Sequence, residues 1–155
     1  MHIIRLRGPW QLEPQARYER RGGRWTPSAE SLPAGARMTM PADWSAVLGS
    51  DFIGCVRYHR VFQTPTGLDS GERVFLVVEP PRSRGVVSLS DLRLGDVCWG
   101  GPPGRFDITE RLDDHNRLEI IVEHPPLDDT MHPNDDNGAR WPGGLVGEVR
   151  LEIEE

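Results

Sequence analysis

LGDVCWGGPPGRFDIT, residues Leu94–Thr109, is the stretch on which the reading of the fold turns. It opens with a polar–apolar alternation, breaks at Trp99-Gly100-Gly101-Pro102-Pro103-Gly104, and resumes at Phe106-Asp107-Ile108-Thr109. Two glycines, two prolines and a third glycine cannot continue a helix or a paired strand, so the break is a long, shaped corner between strands. The corner leaves Trp99 where an indole face can reach solvent.

Strand patterns extend outward from this corner in both directions. On its N-terminal side, Val86–Ser90 alternates with Val87 and Leu89 inward, and Arg73–Glu79 is apolar on both faces, as in a central strand of a covered sheet. Cys55–Phe62 sets Val56, Tyr58, Arg60 and Phe62 on one face. On the C-terminal side, Arg117–Glu123 turns Leu118, Ile120 and Val122 inward, and Glu148–Ile153 sets Val149, Leu151 and Ile153 against Glu148, Arg150 and Glu152. Earlier in the chain, His2–Arg7 reads as a first strand. Ala16–Arg21 and Arg24–Thr26 flank a two-residue turn at Gly22-Gly23, with φ expected positive at both glycines. Ala36–Met40 is a further short strand. The one helical signal is the single turn Ser45–Leu48, with Asp43 placed to cap it. Many short strands between turn signals, with almost no helix, predict an all-β chain folded as a β-sandwich or jelly roll.

A length of 155 residues favours one domain over residues 1–155 with a real core. Glycine and proline make up 31 of the 155 residues, below the roughly 25–30% of a low-complexity chain. All 18 basic residues are arginine, which suits bidentate anion recognition or, more simply, the codon bias of a GC-rich genome. Residues 1–106 carry a formal charge of +4 and residues 107–155 one of −10. An acidic C-terminal third argues against wrapping nucleic acid, and the arginine–aromatic string RYERRGGRW reads as a solvated hairpin. Cys55 and Cys98 make no disulfide framework and are expected to act as small strand hydrophobes. The N-terminus lacks the apolar run of a signal peptide and no segment has the length of a membrane span. The expectation is therefore a soluble cytoplasmic protein without membrane or nucleic-acid partners.

Taken in order, MPADW, DFIGCVRYHRVFQTP, ERVFLVVE, VVSLSDLRLG, FDITERL, NRLEIIVE and WPGGLVGEVRLEI resemble the sugar-binding domain of glycoside hydrolase family 2. The resemblance runs from about Trp44 to Ile153 and implies a jelly roll of the galactose-binding-like type. Trp44 falls on the tryptophan of the family's proline-x-x-tryptophan motif. Tyr58, Arg60 and Phe62 fall on its tyrosine-arginine-x-phenylalanine strand, with Pro65 after it. Leu94-Gly95 and Phe106–Thr109 match the two ends of its glycine-rich corner. Asn116 and Leu118 match the opening of a late strand, and Gly143-Gly144-Leu145 match the glycine pair before the last. The chain departs from the family at Ser90-Asp91, where asparagine-glycine is usual, and at Pro102-Pro103-Gly104, where aromatics are usual. The family's acid and nucleophile glutamates belong to a catalytic barrel that is not among these residues, so the expected role is non-catalytic.

The residues themselves agree with that expectation. Glycoside hydrolysis needs two carboxylates about 5–5.5 or 6.5–9.5 Å apart across a cleft. Asp128-Asp129 and Asp135-Asp136 sit instead in the connection Pro125–Pro142, beyond the length at which structureless loops are common. No G-x-S-x-G, H-E-x-x-H or C-x-x-C motif supplies another chemistry. No cofactor and no metal site is predicted. Asn134–Gly138 resembles part of a calcium loop, but Pro133 and Gly144 occupy its first and twelfth positions, and a structural calcium elsewhere would be held through carbonyls. His124 and His132 are expected to be solvated. Sugar contact needs an exposed aromatic face with planar polar groups beside it. Trp10 and Trp44 read as core, whereas Trp99 and Trp141 lie beside glycine–proline corners with Arg105, Asp136, Asn137 and Arg140 in the same two loops. If those loops converge, the six residues form a sugar-sized platform; the simpler alternative is that both indoles plug the sandwich ends. Three roles follow: a stand-alone carbohydrate-binding module, a protein-interaction scaffold or homo-oligomer that has lost the sugar site, and a non-catalytic subunit of a split glycosidase.

Overall fold

The computed structural model describes residues 1–125 and 143–155. Its strands are β1 His2–Arg5, β2 Trp10–Arg21, β3 Arg24–Pro27, β4 Ala36–Met38, β5 Gly54–Phe62, β6 Arg73–Val78, β7 Arg84–Leu89, β8 Leu92–Cys98, β9 Gly104–Asp107, β10 Asn116–His124 and β11 Val149–Glu154. One helical turn, α1 Ser45–Leu48, and a 3₁₀ turn at Thr109–Arg111 are the helical elements among the described residues.

The strands form two antiparallel sheets. The smaller runs β1-β11-β6-β9; the larger runs β3-β2-β5-β10-β7-β8, with β4 also paired to β2. The apolar pattern of Arg73–Glu79 is explained by this order, since β6 lies between β11 and β9. One hydrophobic cluster joins both inner faces, from Leu12, Val56, Tyr58, Val87, Leu118, Ile120 and Val122 on the larger sheet to Val74, Leu76, Val78 and Leu151 on the smaller. The chain is an all-β sandwich of the jelly-roll kind, with each strand's period-2 pattern setting its inner face.

Several sequence motifs have local structural causes. A Cβ at Gly95 would lie 2.8 Å from the Phe106 ring, and one at Gly104 would lie 2.8 Å from the same ring and 2.7 Å from Val97. The corner's glycines thus make room for Phe106 to lean on the core. Fully buried Asn116 bonds through Nδ2 to the Phe62 carbonyl at 3.1 Å and the Asp113 carbonyl at 3.0 Å, and its Oδ1 accepts from the Asp113 amide at 2.8 Å. Asp43 accepts from the Ser45 amide at 2.9 Å, so the expected cap acts one residue before Trp44, where the turn begins.

Gly22 and Gly23 take φ of 57° and 77°, as their hairpin requires. The β7–β8 turn makes the same demand without glycine: Leu89 pairs with Leu92, and Ser90 and Asp91 take φ of 47° and 70°. Left-handed backbone costs an L-residue about 1–2 kcal/mol, with Asp and Asn favoured among the non-glycines. The Arg117–Asp91 ion pair at 2.9 Å is exposed on both sides and offsets little of this. The double substitution Ser90→Asn, Asp91→Gly should therefore raise the melting temperature by about 2–4 °C, for a gain of about 1 kcal/mol. A fall in thermal denaturation would show that the turn is not strained.

Candidate functional site

The corner that follows β8 lies at one end of the sandwich, where several connections meet. The Trp99 amide donates to the Ser83 carbonyl at 2.9 Å, and the Arg82 amide donates to the Gly144 carbonyl at 3.1 Å. The Trp44 amide donates to the Gly143 carbonyl at 3.0 Å, and the Ala42 amide to the Leu145 carbonyl at 3.2 Å. Four segments are thus tied together: residues 80–83, 99–103, 143–146 and 42–44. Beneath them, Trp44 is fully buried, bonds through Nε1 to the Phe52 carbonyl at 3.1 Å, and packs edge-on to Phe52. A Cβ at Gly143 would lie 2.4 Å from the Trp44 ring, so this glycine is the space the indole needs.

Trp99 stands outside that packing. Its indole is 61% exposed, the largest exposed ring among the described residues, and the Arg82 guanidinium carbon lies 5.7 Å from the ring centroid. The simpler expectation, an indole plugging the end of the sandwich, does not hold for Trp99. It does describe Trp44, and Trp10 is likewise buried, with Nε1 donating to the Leu6 carbonyl at 2.7 Å.

Arg105 lies on β9 with its guanidinium on the outer face of the smaller sheet. Its guanidinium carbon is 3.6 Å from the Phe75 ring centroid, and it pairs with Glu154 at 2.9 Å and Glu152 at 3.6 Å. The cation found beside Trp99 is Arg82, which sequence reasoning passed over; its place in the Pro80-Pro81-Arg82 connection between two strong strands was the available signal. Trp141, Asp136, Asn137 and Arg140 lie outside the described residues, as do His132 and the Asn134–Gly138 stretch.

His124 corrects an expectation. Rather than solvated, it is 2% exposed, with Ser83 Oγ 2.6 Å from Nδ1 and Trp44 edge-on to its ring. It continues the inward parity of Leu118, Ile120 and Val122 along β10. Ser83 holds φ of 74°, a left-handed backbone that turns its hydroxyl to the imidazole. The Tyr58 hydroxyl is buried beside the Leu145 backbone without a hydrogen bond of normal geometry, and burial pushes its pKa upward. Of the cysteines, Cys55 is half-buried, its thiol pushed up to about 11 by burial and by nearby Glu123. Cys98 is exposed because Val97 takes the inward position on the edge strand β8, so it is not the strand hydrophobe expected. Among the described residues, no group of three or more His, Cys, Asp or Glu is placed to hold a metal ion.

No family model matches the sequence, and no curated protein does. Solved structures match it closely in shape. An FMN-binding β-glucuronidase from Faecalibacterium prausnitzii L2-6 has 26% identity and a TM-score of 0.71 over 98% of this chain and 22% of that chain. A β-glucuronidase from an uncultured Clostridium species has 22% identity and a TM-score of 0.70, over 98% of this chain and 28% of that one. A glycosyl hydrolase family 2 member from Bacteroides cellulosilyticus has 16% identity and a TM-score of 0.65, over 100% of this chain and 21% of that one. The chain therefore spans well under a third of these proteins. Its fold is shared with one part of family 2 glycoside hydrolases, consistent with the resemblance carried by its sequence.

The motif Phe106–Thr109, part of that resemblance, is structural. Asp107 accepts at Oδ1 from the Thr109 amide at 3.0 Å and hydroxyl at 2.7 Å, and at Oδ2 from Arg73 Nε at 2.9 Å. The Thr109 hydroxyl, then Arg73, hold the Asp107 carboxyl at about 2, below its ordinary 3.8. A depressed folded-state pKa gives stability that is present above about pH 4 and lost as pH falls toward 2. Carboxyl NMR titration should give Asp107 a midpoint near 2, and Asp107→Asn should flatten the loss of stability between pH 4 and 2. A midpoint near 4 would remove the carboxylate from this role.

Proposed function

We propose that this chain is a non-catalytic carbohydrate-binding module related to the sugar-binding domain of family 2 glycoside hydrolases. Its contact surface is the Trp99 end of the sandwich. The observation that carries the reading is the exposed Trp99 indole with the Arg82 guanidinium beside it, on a scaffold that buries both Trp10 and Trp44. An indole face covers the apolar C–H side of a pyranose, and a planar guanidinium donates to its vicinal hydroxyls. Leaving so large a ring in water gains nothing for folding, whereas stacking a sugar removes its apolar face from water. Fold alone does not select a ligand, and the reading rests on the chemistry of this end. In it, Arg82 takes the hydrogen-bonding place first given to Arg105, whose guanidinium is committed to Phe75, Glu152 and Glu154. Trp141, Asp136, Asn137 and Arg140 are the proposed contributors from the adjoining segment.

Affinity should be modest. At roughly 0.3 kcal/mol per non-hydrogen atom, a monosaccharide reaches a Kd in the low millimolar range. Isothermal titration with galactosides, glucuronides and mannosides should find one class that binds. Trp99→Ala should weaken that binding at least tenfold while moving the melting temperature by no more than about 1 °C, because the ring supports no core. No heat from any of the three classes at millimolar concentration would overturn the reading, as would full binding by Trp99→Ala.

A further inference from the structure

The larger sheet ends on β8, which runs seven residues where the edge strands β1, β3 and β9 run four each. It pairs with β7 alone, so one side of its backbone is open. The ladder fixes which residues face that side. Leu92 closes the two-residue turn with Leu89, and at the far end the Trp99 amide donates to the Ser83 carbonyl at 2.9 Å. Bonded and open positions alternate along an antiparallel pair, and the count passes a bulge at Leu94, the residue left without a β7 partner. Counted inward from the two ends, Arg93, Asp96 and Cys98 direct their backbone N–H and C=O outward. Among the described residues, no backbone bond from outside β7 reaches Arg93 or Asp96.

A bulge and charged side chains ordinarily protect an edge from pairing. On β8 the two are arranged to match a copy of themselves. In a regular strand, residues three apart point to opposite faces. With Leu94 inserted, Arg93 and Asp96 share the outer face, opposite Ser88 and Val86, and form an ion pair with each other. Their side chains are 64% and 41% exposed. A second β8 laid antiparallel, about a two-fold axis between Leu94 and Gly95, sets each Arg93 against Asp96 of the other copy. Both are open positions, so these two residue pairs also exchange backbone bonds. On the inner side Leu92, 40% exposed, comes opposite Val97 of the other copy, and Gly95 brings no side chain to the axis. A shift of two residues either way sets Arg93 opposite Cys98 or Leu94 and loses both ion pairs.

From this we infer that β8 is a self-recognition edge: two copies of the chain pair antiparallel through it, with Arg93 of each bonded to Asp96 of the other. The contact is closed, because a two-fold axis uses β8 of both copies and leaves none to propagate. Backbone bonds supply the affinity, and the crossed ion pairs fix the register. A single strand pair is a small contact, so the assembly belongs to the weak, concentration-dependent class. It makes no use of the Trp99 indole and does not depend on sugar binding.

Sedimentation velocity at about 0.15 M ionic strength, where repulsion between copies is screened beyond about 8 Å, reads the assembly directly. A reductant keeps the exposed Cys98 from cross-linking copies. The wild-type mass should rise with concentration from 17.4 kDa toward twice that value. Arg93→Asp and Asp96→Arg should each stay monomeric where the wild type is paired, because each sets like charges opposite one another. An equimolar mixture of the two should recover the dimer, since the acids of one variant face the arginines of the other. Mixing cannot restore the ion pair within one chain, so recovery reports a contact between copies. A wild type that stays monomeric up to about millimolar concentration would overturn the inference. So would a dimer that survives in both single variants, or a mixture that recovers nothing. If either variant does not fold, amide exchange of the wild type decides. The Arg93 and Asp96 amides should slow about tenfold at nine-tenths dimer, and rates that ignore concentration exclude the pairing.

Discussion

Nine consecutive residue pairs join β5 to β10, Gly54↔His124 through Phe62↔Asn116, without a bulge. This unbroken ladder is the constraint on which the rest depends. With a side-chain period of 2, one register decides every residue the sandwich encloses along both strands, and a slip of one would turn Val56, Tyr58, Phe62, Leu118, Ile120 and Val122 out to water. At about 25 cal/mol per Å² of apolar area, that is a loss larger than a domain's net stability. The register is therefore not negotiable, and it encloses polar residues along with the apolar ones. Asn116 and His124 find partners at either end of β10. Among the described residues, the buried Tyr58 hydroxyl and Arg60 Nε, two apart on β5, have no hydrogen-bond partner of normal geometry.

The outer faces solve the complementary problem. On the larger sheet, Glu13 accepts from Arg57 at 2.9 Å and lies 3.0 Å from His59, while Glu123 accepts from Arg84 at 3.1 Å and Tyr18 at 3.0 Å. His59 and then Arg57 hold the Glu13 carboxyl below its ordinary range. On the smaller sheet, Arg150 reaches Glu152 at 2.8 Å and Glu79 at 3.3 Å. Several ion pairs, Arg5–Glu148, Arg57–Glu119, Arg73–Asp107, Arg84–Glu123 and Arg105–Glu154, join an arginine from residues 1–106 to an acid from residues 107–155. Part of the lopsided charge along the sequence is thus complementarity across strands, because β10 and β11 insert between strands made earlier. Each pair is half-exposed and adds little singly, so the gain lies in register and solubility more than in stability.

Much of this was legible beforehand because alternation is a local signal. The strands, their inner faces, the Gly22-Gly23 turn and the buried Trp10 and Trp44 all follow from period 2 and turn chemistry. What escaped was tertiary. Parity placed His124 inward, but the following Pro125-Pro126 suggested a loop and hence a solvated ring. Cys98 looked like a strand hydrophobe because sequence does not reveal that β8 is an edge. Gly95 and Gly104 read as corner residues when both clear space for Phe106, Gly95 from a strand of the other sheet and Gly104 from Phe106's own strand. The site was half legible: Trp99 beside its corner was named, whereas Arg82 reaches it from a connection some 17 residues earlier, a pairing that only the fold creates.

These points bear on the choice between binding and catalysis. General acid–base chemistry needs carboxyl groups whose environments push their pKa values apart. Among the described residues the shifted carboxyls, Glu13 and Asp107, both move downward, the first held ionised by His59 and Arg57 and the second by Thr109 and Arg73. Such groups are poor proton donors near neutral pH. Many arginines and acids of the two faces are occupied with one another, whereas the Trp99 indole stands in water at the end of the sandwich. In the proposed reading that ring is the group left to hold a ligand.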